Sequence, residues 1–515
     1  MLAQATKREK EFSVRRALGA SRFRIIAQLL VESLLLALAG ATAGCLLASA
    51  GLKALLAILP LYTFPDEAVI RLNGPVLLAA VSTAVLTAFV FGLAPGLIAS
   101  RRDHRESILG AGRGNTAFRQ GRLRNLVVAS QVTLSVLLLS SAGLLMRSFF
   151  AEQQINLGLR PDHLLVSQLN LPAATYGNPA AQSRFVRELL ARFERVPGII
   201  STAAAAEFPP EGAIPTDFDI AGVPHTSTWR GMYSPCSRAF FATVGLRTIA
   251  GRLPTLADEN QARQIAVVNQ SLATHYFPSG NPIGRQIRLA ALKPGAKALS
   301  NPWFEIVGIV SDMKNNGARQ AVTPAVYIPY TVSDFSSFNL FLHTVGNPAA
   351  MQSTLTRQVL TLDRSVFPGE TYTMDDILEI SEYARPRFGL TLVSIFAALG
   401  LILAAVGVYG VTAYSVAQQH KEIGIRMALG AKPGEVRMLF MWRSMRFVLI
   451  GVLVGLCVVR FATRLIASQL WGVSPHDQLT FVAVTGVLMG IGLLASYLPS
   501  IRAARIDPAV CLRRE

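Results

Sequence analysis

Apolar residues gather in six long runs, at residues 25–50, 75–99, 126–147, 387–415, 444–467 and 478–499. Each approaches or exceeds the roughly 20 mostly apolar residues that a helix needs to cross a bilayer, a length that argues against buried core helices of a large soluble protein. The run at 444–467 is the least regular, because Arg446, Arg460 and Arg464 leave an uncharged stretch of 13 residues from Phe447 to Val459. Arginines that snorkel to the two interfaces, or contacts with neighbouring helices, make such a span tolerable. Between the third and fourth runs the texture changes. Gln264-Ile265-Ala266-Val267-Val268 and Phe304-Glu305-Ile306-Val307-Gly308-Ile309-Val310 are short, β-branched and bounded by polar or turn residues, as strands are. Residues 181–196 place apolar side chains at helical spacing, and Pro278-Ser279-Gly280-Asn281-Pro282-Ile283-Gly284 is a turn cluster. The run Glu211-Gly212-Ala213-Ile214-Pro215 reads as an irregular excursion. The pattern predicts a polytopic α-helical membrane protein of about six spans, with one large α+β domain at 148–386.

The chain also repeats itself. Lys10-Glu11-Phe12-Ser13-Val14-Arg15-Arg16-Ala17-Leu18-Gly19-Ala20 returns 411 positions later as Lys421-Glu422-Ile423-Gly424-Ile425-Arg426-Met427-Ala428-Leu429-Gly430-Ala431. Each copy leads into an apolar run, and Gly40 and Gly44 stay in register with Gly451 and Gly455. A second apolar run then ends near Pro95 or Pro499, followed by an arginine-rich tail. A fixed offset held over motif, span and tail is the mark of an internal duplication.

Composition agrees with the spans: 51% of residues are apolar and 16% charged, against about 25% charged in an ordinary soluble domain. Charge then orients them. Residues 1–24, 99–125, 416–443 and 500–515 hold 7, 7, 5 and 4 Lys/Arg against 8 Asp/Glu in all, or +15 of the formal +18. The opposite connection at 51–74 balances Lys53 and Arg71 with Asp66 and Glu67. By the positive-inside rule both termini and the repeated segments are cytoplasmic and residues 148–386 lie outside. The same distribution removes nucleic acid as a partner, because the basic residues flank the membrane runs instead of gathering on one folded face. A cleavable signal peptide is not apparent, since the first apolar run follows a long basic lead and exceeds the length of a signal core. Of four cysteines, Cys45 and Cys457 fall in spans and Cys511 in the tail. Cys236 is alone outside, which excludes an intrachain bridge there and leaves pairing with another chain open.

Catalytic signatures are not found. Gly110-Ala111-Gly112-Arg113-Gly114 lacks the Lys-Ser/Thr that completes a phosphate loop, so the chain is expected to be neither an enzyme nor a holder of a cofactor. His104 and His420 are cytoplasmic, His476 sits in an external turn, and His163, His225, His275 and His343 are scattered, so no metal site is expected. Apart from Glu32 the spans carry no Asp, Glu or Lys of the kind that coupled ion pathways keep. Any transported substrate is therefore expected to be lipid-like.

The repeated segments hold the candidate functional residues. Glu11 precedes Arg15, and Glu422 precedes Arg426, by four positions, the favourable order for a helical ion pair. The Ala-Leu-Gly-Ala ending places Gly19 and Gly430 where a helix exit wants a residue without Cβ. Each segment is predicted to be a short amphipathic helix turning into a span. It serves either to anchor the chain on the membrane surface or to dock a cytoplasmic partner.

The motif at 421–431 resembles the signature of the FtsX-like/MacB-like ABC transporter permeases. External landmarks resemble the MacB-like periplasmic core domain: Phe240-Phe241-Ala242-Thr243-Val244-Gly245, Gly251-Arg252, Val267-Val268-Asn269, Phe277-Pro278, Pro282-Ile283-Gly284, Val307-Gly308-Ile309-Val310 and Val326-Tyr327-Ile328-Pro329. Arg122-Leu123-Arg124-Asn125 resembles the start of a unit. The resemblance divides the chain into a coupling segment at 1–24, two spans and a tail at 25–110, a linker at 111–125, a span at 126–147, the periplasmic domain at 148–386 and a three-span second unit at 387–515. It implies a bacterial inner-membrane protein and six spans where full duplicated permeases have eight. The remainder is then a truncated first unit, or a part supplied by a missing N-terminal half or a second permease copy. It further implies a dimeric cytoplasmic ABC ATPase as partner, with ATP and Mg bound there. Lys10, Glu11, Arg15, Arg16, Gly19, Lys421, Glu422, Arg426 and Gly430 would be the coupling contacts. The output would be export of an amphiphile or conformational work in the periplasm. The alternative is a non-transporting regulator or scaffold of an envelope complex, with a periplasmic protein partner.

Overall fold

A computed structural model describes residues 21–58, 70–100, 113–210, 212–223, 228–278, 280–292 and 302–504. The chain divides into two compact units, one comprising Met1–Phe149 and Pro386–Glu515, the other Phe150–Arg385.

The helical unit opens with α1 (Arg22–Ile58), α2 (Gly74–Ser100) and α3 (Arg113–Gln153), the last running into the second unit. The second unit carries eleven strands: β1 (Leu164–Asn170), β2 (Ile199–Ala205), β3 (Ile214–Ile220), β4 (Trp229–Cys236), β5 (Thr248–Gly251), β6 (Ile265–Asn269), β7 (Gln286–Leu289), β8 (Trp303–Val310), β9 (Ala325–Pro329), β10 (Ser337–Thr344) and β11 (Pro368–Thr373). Among them lie helices α4 (Pro179–Phe193), α5 (Phe240–Val244), α6 (Leu256–Asn260), α7 (Gln270–Tyr276), α8 (Gln352–Leu362) and α9 (Met374–Leu378). The helical unit resumes with α10 (Ala384–Gln418), α11 (His420–Ala428), α12 (Pro433–Ile466) and α13 (Gln478–Ala504).

Among the described residues, five helical stretches are long and apolar enough to cross a membrane: Ile26–Ala57, Asn125–Gln153, Met374–Gln418, Pro433–Gln469 and Gln478–Arg502. The sixth predicted span, 75–99, lies within the 27-residue helix α2, whose sequence carries no Asp, Glu, Lys or Arg. The chain is thus a multi-pass membrane protein. Helices α3, α10, α12 and α13 share a valine-rich core that includes Val132, Val136, Val408, Val448, Val452 and Val484. Apolar surface gains little by leaving lipid, so close approach and interhelical hydrogen bonds must hold such a bundle. Both are present. A Cβ on Gly451 would lie 2.7 Å from the Val132 Cβ, and one on Gly455 2.7 Å from the Val136 Cβ. The Thr133 Oγ1 donates to the Gly451 carbonyl at 3.0 Å and the Ser135 Oγ to the Gly400 carbonyl at 2.8 Å. Thr412 and Ser444 join α10 to α12 through their hydroxyls at 2.7 Å. These polar side chains act between helices, and the sequence pattern alone does not distinguish them from lipid-facing ones.

In the α+β unit, β11, β1, β10 and β2 form an antiparallel sheet that continues into β4. From there β4, β3, β7, β8, β6 and β9 pair in turn, and β9 returns to β4 in parallel, so this part closes on itself. Full closure removes sheet edges. Its interior holds Phe218, Ile220, Ile287, Phe304, Ile306 and Val326. The predicted irregular run is corrected here, because Ile214 and Pro215 begin β3. Pro215 faces Met232 of β4, whereas β7 reaches only Phe218 to Ile220, so the missing N–H breaks no pairing on the other side. Cys236 is 2% exposed in the β4 register. Burial therefore overturns the option of a bridge to another chain, and it also pushes the thiol well above its ordinary range.

Candidate functional site: the cytoplasmic helix–turn at α11 and α12

Helix α11 begins one residue after α10 ends, with Gln419 between them. The Gln419 side chain is held by Arg443, whose Nη1 donates to Oε1 at 3.1 Å. The helix ends in a complete left-handed cap. Gly430 has φ +97°, its N–H donates to the Met427 carbonyl at 3.1 Å, and the Ala431 N–H donates to the Arg426 carbonyl at 3.0 Å. A residue with Cβ is strained in that conformation, which explains the glycine. Pro433 then occupies the first turn of α12, where its fixed φ suits a helix start. The turn leads, as predicted, into a membrane helix, which starts eleven residues before the apolar run at 444.

Two faces of α11 differ in what they touch. Ile423, 2% exposed, packs with Val416, Val436 and Phe440, and Met427 lies against the same cluster. The outward face carries Glu422, Ile425, Arg426 and Leu429, at spacings of three, four and seven that fall on one side of a helix. Arg426 Nη2 donates to Glu422 Oε1 at 2.6 Å, and both side chains are about half exposed. Such a surface pair is worth about 0.5 kcal/mol, too little to explain its presence through folding. Ile425 is 50% and Leu429 83% exposed. Beside this face an open cleft of about 260 Å³ is lined by Glu422, Arg426 and Glu435 over Ile423, Leu439 and Phe440.

Of the predicted contacts, Glu422, Arg426 and Gly430 come together here, and Lys421 contributes backbone to α11. Lys10, Glu11, Arg15, Arg16 and Gly19 lie outside the described residues. Sequence reasoning missed Ile425, Leu429, Glu435 and Gln419. The signal for the first two was available, since the outward face Glu422, Ile425, Arg426 and Leu429 has the counterparts Glu11, Val14, Arg15 and Leu18, whereas the inward Ile423 and Met427 correspond to Phe12 and Arg16. Among the described residues no group of His, Cys, Asp and Glu is arranged to hold a metal.

Comparison with known proteins agrees with this architecture. The family model for the FtsX-like permease C-terminal region matches residues 1–103 and again 394–508. That for the MacB-like periplasmic core domain matches residues 132–359. Among curated proteins, the chain is 28% identical over 284 residues to the macrolide export ATP-binding/permease protein MacB 2 of Aeromonas hydrophila, covering 54% of this chain and 42% of that one. It is 27% identical over 290 residues to the macrolide export ATP-binding/permease protein MacB of Mannheimia succiniciproducens, with the same shares. The chain thus spans less than half the length of these relatives. The crystal structure of the periplasmic region of MacB from Actinobacillus actinomycetemcomitans aligns at 18% identity and a TM-score of 0.30, over 43% of this chain and 93% of that one. With the first family model found twice at the internal repeat and the second on the intervening unit, the chain belongs to the FtsX-like/MacB-like permease family.

Proposed function

We propose that this chain is the membrane-spanning permease subunit of an ABC-type system in a bacterial inner membrane, and that the outward face of α11 docks a separate cytoplasmic ATPase. The observation that carries the reading is the retention in both copies of the repeat of Glu, a β-branched residue, Arg and Leu at the positions that face outward in α11, while the position of the buried Ile423 holds Phe12 in the first copy. An anchor on the membrane surface needs apolar and basic residues in any order. It has no use for a glutamate repeated at the same place, which anionic headgroups repel. A protein groove, by contrast, reads shape and the sign of each charge.

ATP and Mg bind in the partner, whose dimer closes and moves the two repeated segments. Lys10, Glu11, Arg15, Arg16 and Gly19 make the contacts of the first, and Lys421, Glu422, Arg426 and Gly430 those of the second. Two repeats in one chain suit a dimeric partner. The motion drives export of an amphiphilic or lipid-like substrate from the periplasmic side, or conformational work by the Phe150–Arg385 unit. The relatives' name, macrolide export ATP-binding/permease protein, favours export. Co-expression with candidate ATPases tests the docking. The native chain is expected to co-purify with one of them and the Glu11→Lys/Glu422→Lys variant to lose it; a complex that survives the double charge reversal contradicts the proposal.

A further inference from the structure

Eight buried side-chain oxygen or nitrogen atoms lack a hydrogen-bond partner among the described residues, and three of them, Glu207 Oε1, Ser234 Oγ and Tyr327 Oη, belong to neighbouring strands of the α+β unit. Strand pairing sets them in one row. Ala205 of β2 faces Cys236 of β4, and the Ala206 N–H donates to the Pro235 carbonyl at 2.9 Å, so the same register carried two residues on places Glu207 opposite Ser234. Ser234 in turn faces Tyr327 of β9. Ala205, Cys236 and Tyr327 enter one apolar core, and residues two apart in an extended chain share a face. Glu207 and Ser234 therefore point into that core as well. The carboxyl is near enough for its charge to help raise both the Cys236 thiol and the Tyr327 phenol. The Asn339 amide fixes the Glu207 backbone by donating to its carbonyl at 3.0 Å.

Glu207, Ser234 and Tyr327 are each 1% exposed, and buried polar groups left unbonded are costly. Three in a row call for a common partner. A short serine stands between two long side chains, so carboxyl and phenol form walls on either side of a hydroxyl floor. Opposed side chains on neighbouring strands start about 5 Å apart, close to the length of two hydrogen bonds laid end to end. One water spans that interval, and an internal water makes about three hydrogen bonds. A metal cation suits the row less, because burial favours the protonated, uncharged form of its one carboxyl. A neutral carboxylic acid and two hydroxyls can each donate and accept, as a water requires.

We propose that Glu207, Ser234 and Tyr327 form a binding site for one internal water, which makes a hydrogen bond to each and ties β2, β4 and β9 together inside the apolar core.

Brief synchrotron radiolysis of the full chain in detergent reads the site, because a held water yields hydroxyl radicals in place and marks the side chains it touches. Tyr327 is expected to be hydroxylated at least fivefold faster than Tyr330, which is equally buried. Ser234→Val, which puts methyl groups where the water sits, is expected to bring Tyr327 down to the rate of Tyr330. Equal labelling of the two tyrosines in the native chain, or labelling of Tyr327 that survives Ser234→Val in folded protein, overturns the proposal. A density map of the native chain at about 2 Å resolution needs no variant, and it is expected to show a peak about 2.8 Å from both Glu207 Oε1 and Tyr327 Oη. A direct hydrogen bond between those two side chains, or a peak held at the contact of about 2.4 Å that marks a cation, overturns it.

Discussion

Glu207→Gln is expected to stabilise the protein at neutral pH and to remove a pH dependence of stability. Glu207 lies two residues past the end of β2 and is 1% exposed, and its Oε1 has no hydrogen-bond partner among the described residues. Burial disfavours the carboxylate, so the folded-state pKa is pushed from 4.5 up to about 8. The folded protein then keeps a proton that the unfolded chain releases between those two values. Stability is greatest below pH 4.5, declines by about 1.4 kcal/mol per pH unit through the window, and levels off above pH 8. At pH 7 the loss is about 3 kcal/mol relative to acid, a large share of a typical domain's stability. Glutamine has the same shape and no charge to suppress. Denaturant unfolding of the full chain in detergent, followed through Trp229 and Trp303 with Trp442 and Trp471 replaced by phenylalanine, measures both proteins. The variant is expected to gain about 3 kcal/mol at pH 7 and to approach the native protein at pH 4.5. Parallel stability curves for the two between pH 5 and 8 would refute the argument that an uncompensated buried carboxyl is present.

Gly455→Val is expected to force α3 and α12 apart, since even the first added carbon lies 2.7 Å from the Val136 Cβ. A melting temperature in detergent lower by several degrees checks this, with Gly44→Val as the silent control. Asp258 ties α6 into the domain: it accepts from Arg252 at 2.7 Å and from the Thr255 Oγ1 at 2.6 Å, and its partners hold the carboxyl below the usual carboxylate range. Asp258→Asn is expected to cost about 2 kcal/mol near pH 7, a difference that shrinks below pH 3.8, where the unfolded chain's aspartate takes up a proton that the folded carboxylate still refuses. Denaturation at pH 7 and pH 3 reads it, and an equal cost at both pH values contradicts the charge-based account.

The apolar runs and the short β-branched segments are local signals, which is why α1, α3, α10, α13, β6 and β8 are visible in sequence. Closure of the sheet is not, because the parallel pairing of β4 with β9, Met232 to Ala325 through Cys236 to Pro329, joins segments almost a hundred residues apart. Pro215 misleads a local reading, since proline looks like a strand breaker unless the unpaired side of β3 is known. At the candidate site the Glu422–Arg426 spacing and the Gly430 turn are written in the sequence. Which side of α11 faces outward depends on Val436 and Phe440, supplied from α12 after the turn.

The claim that α11 is a protein-docking helix is tested most directly at Leu429. A photo-reactive amino acid placed there in living cells reports what touches the outward face. The account predicts a covalent adduct with an ATP-binding protein, lost when Glu422 and Arg426 are exchanged for residues of opposite charge. Adducts with lipid alone would contradict it and make the repeated segments anchors on the membrane surface.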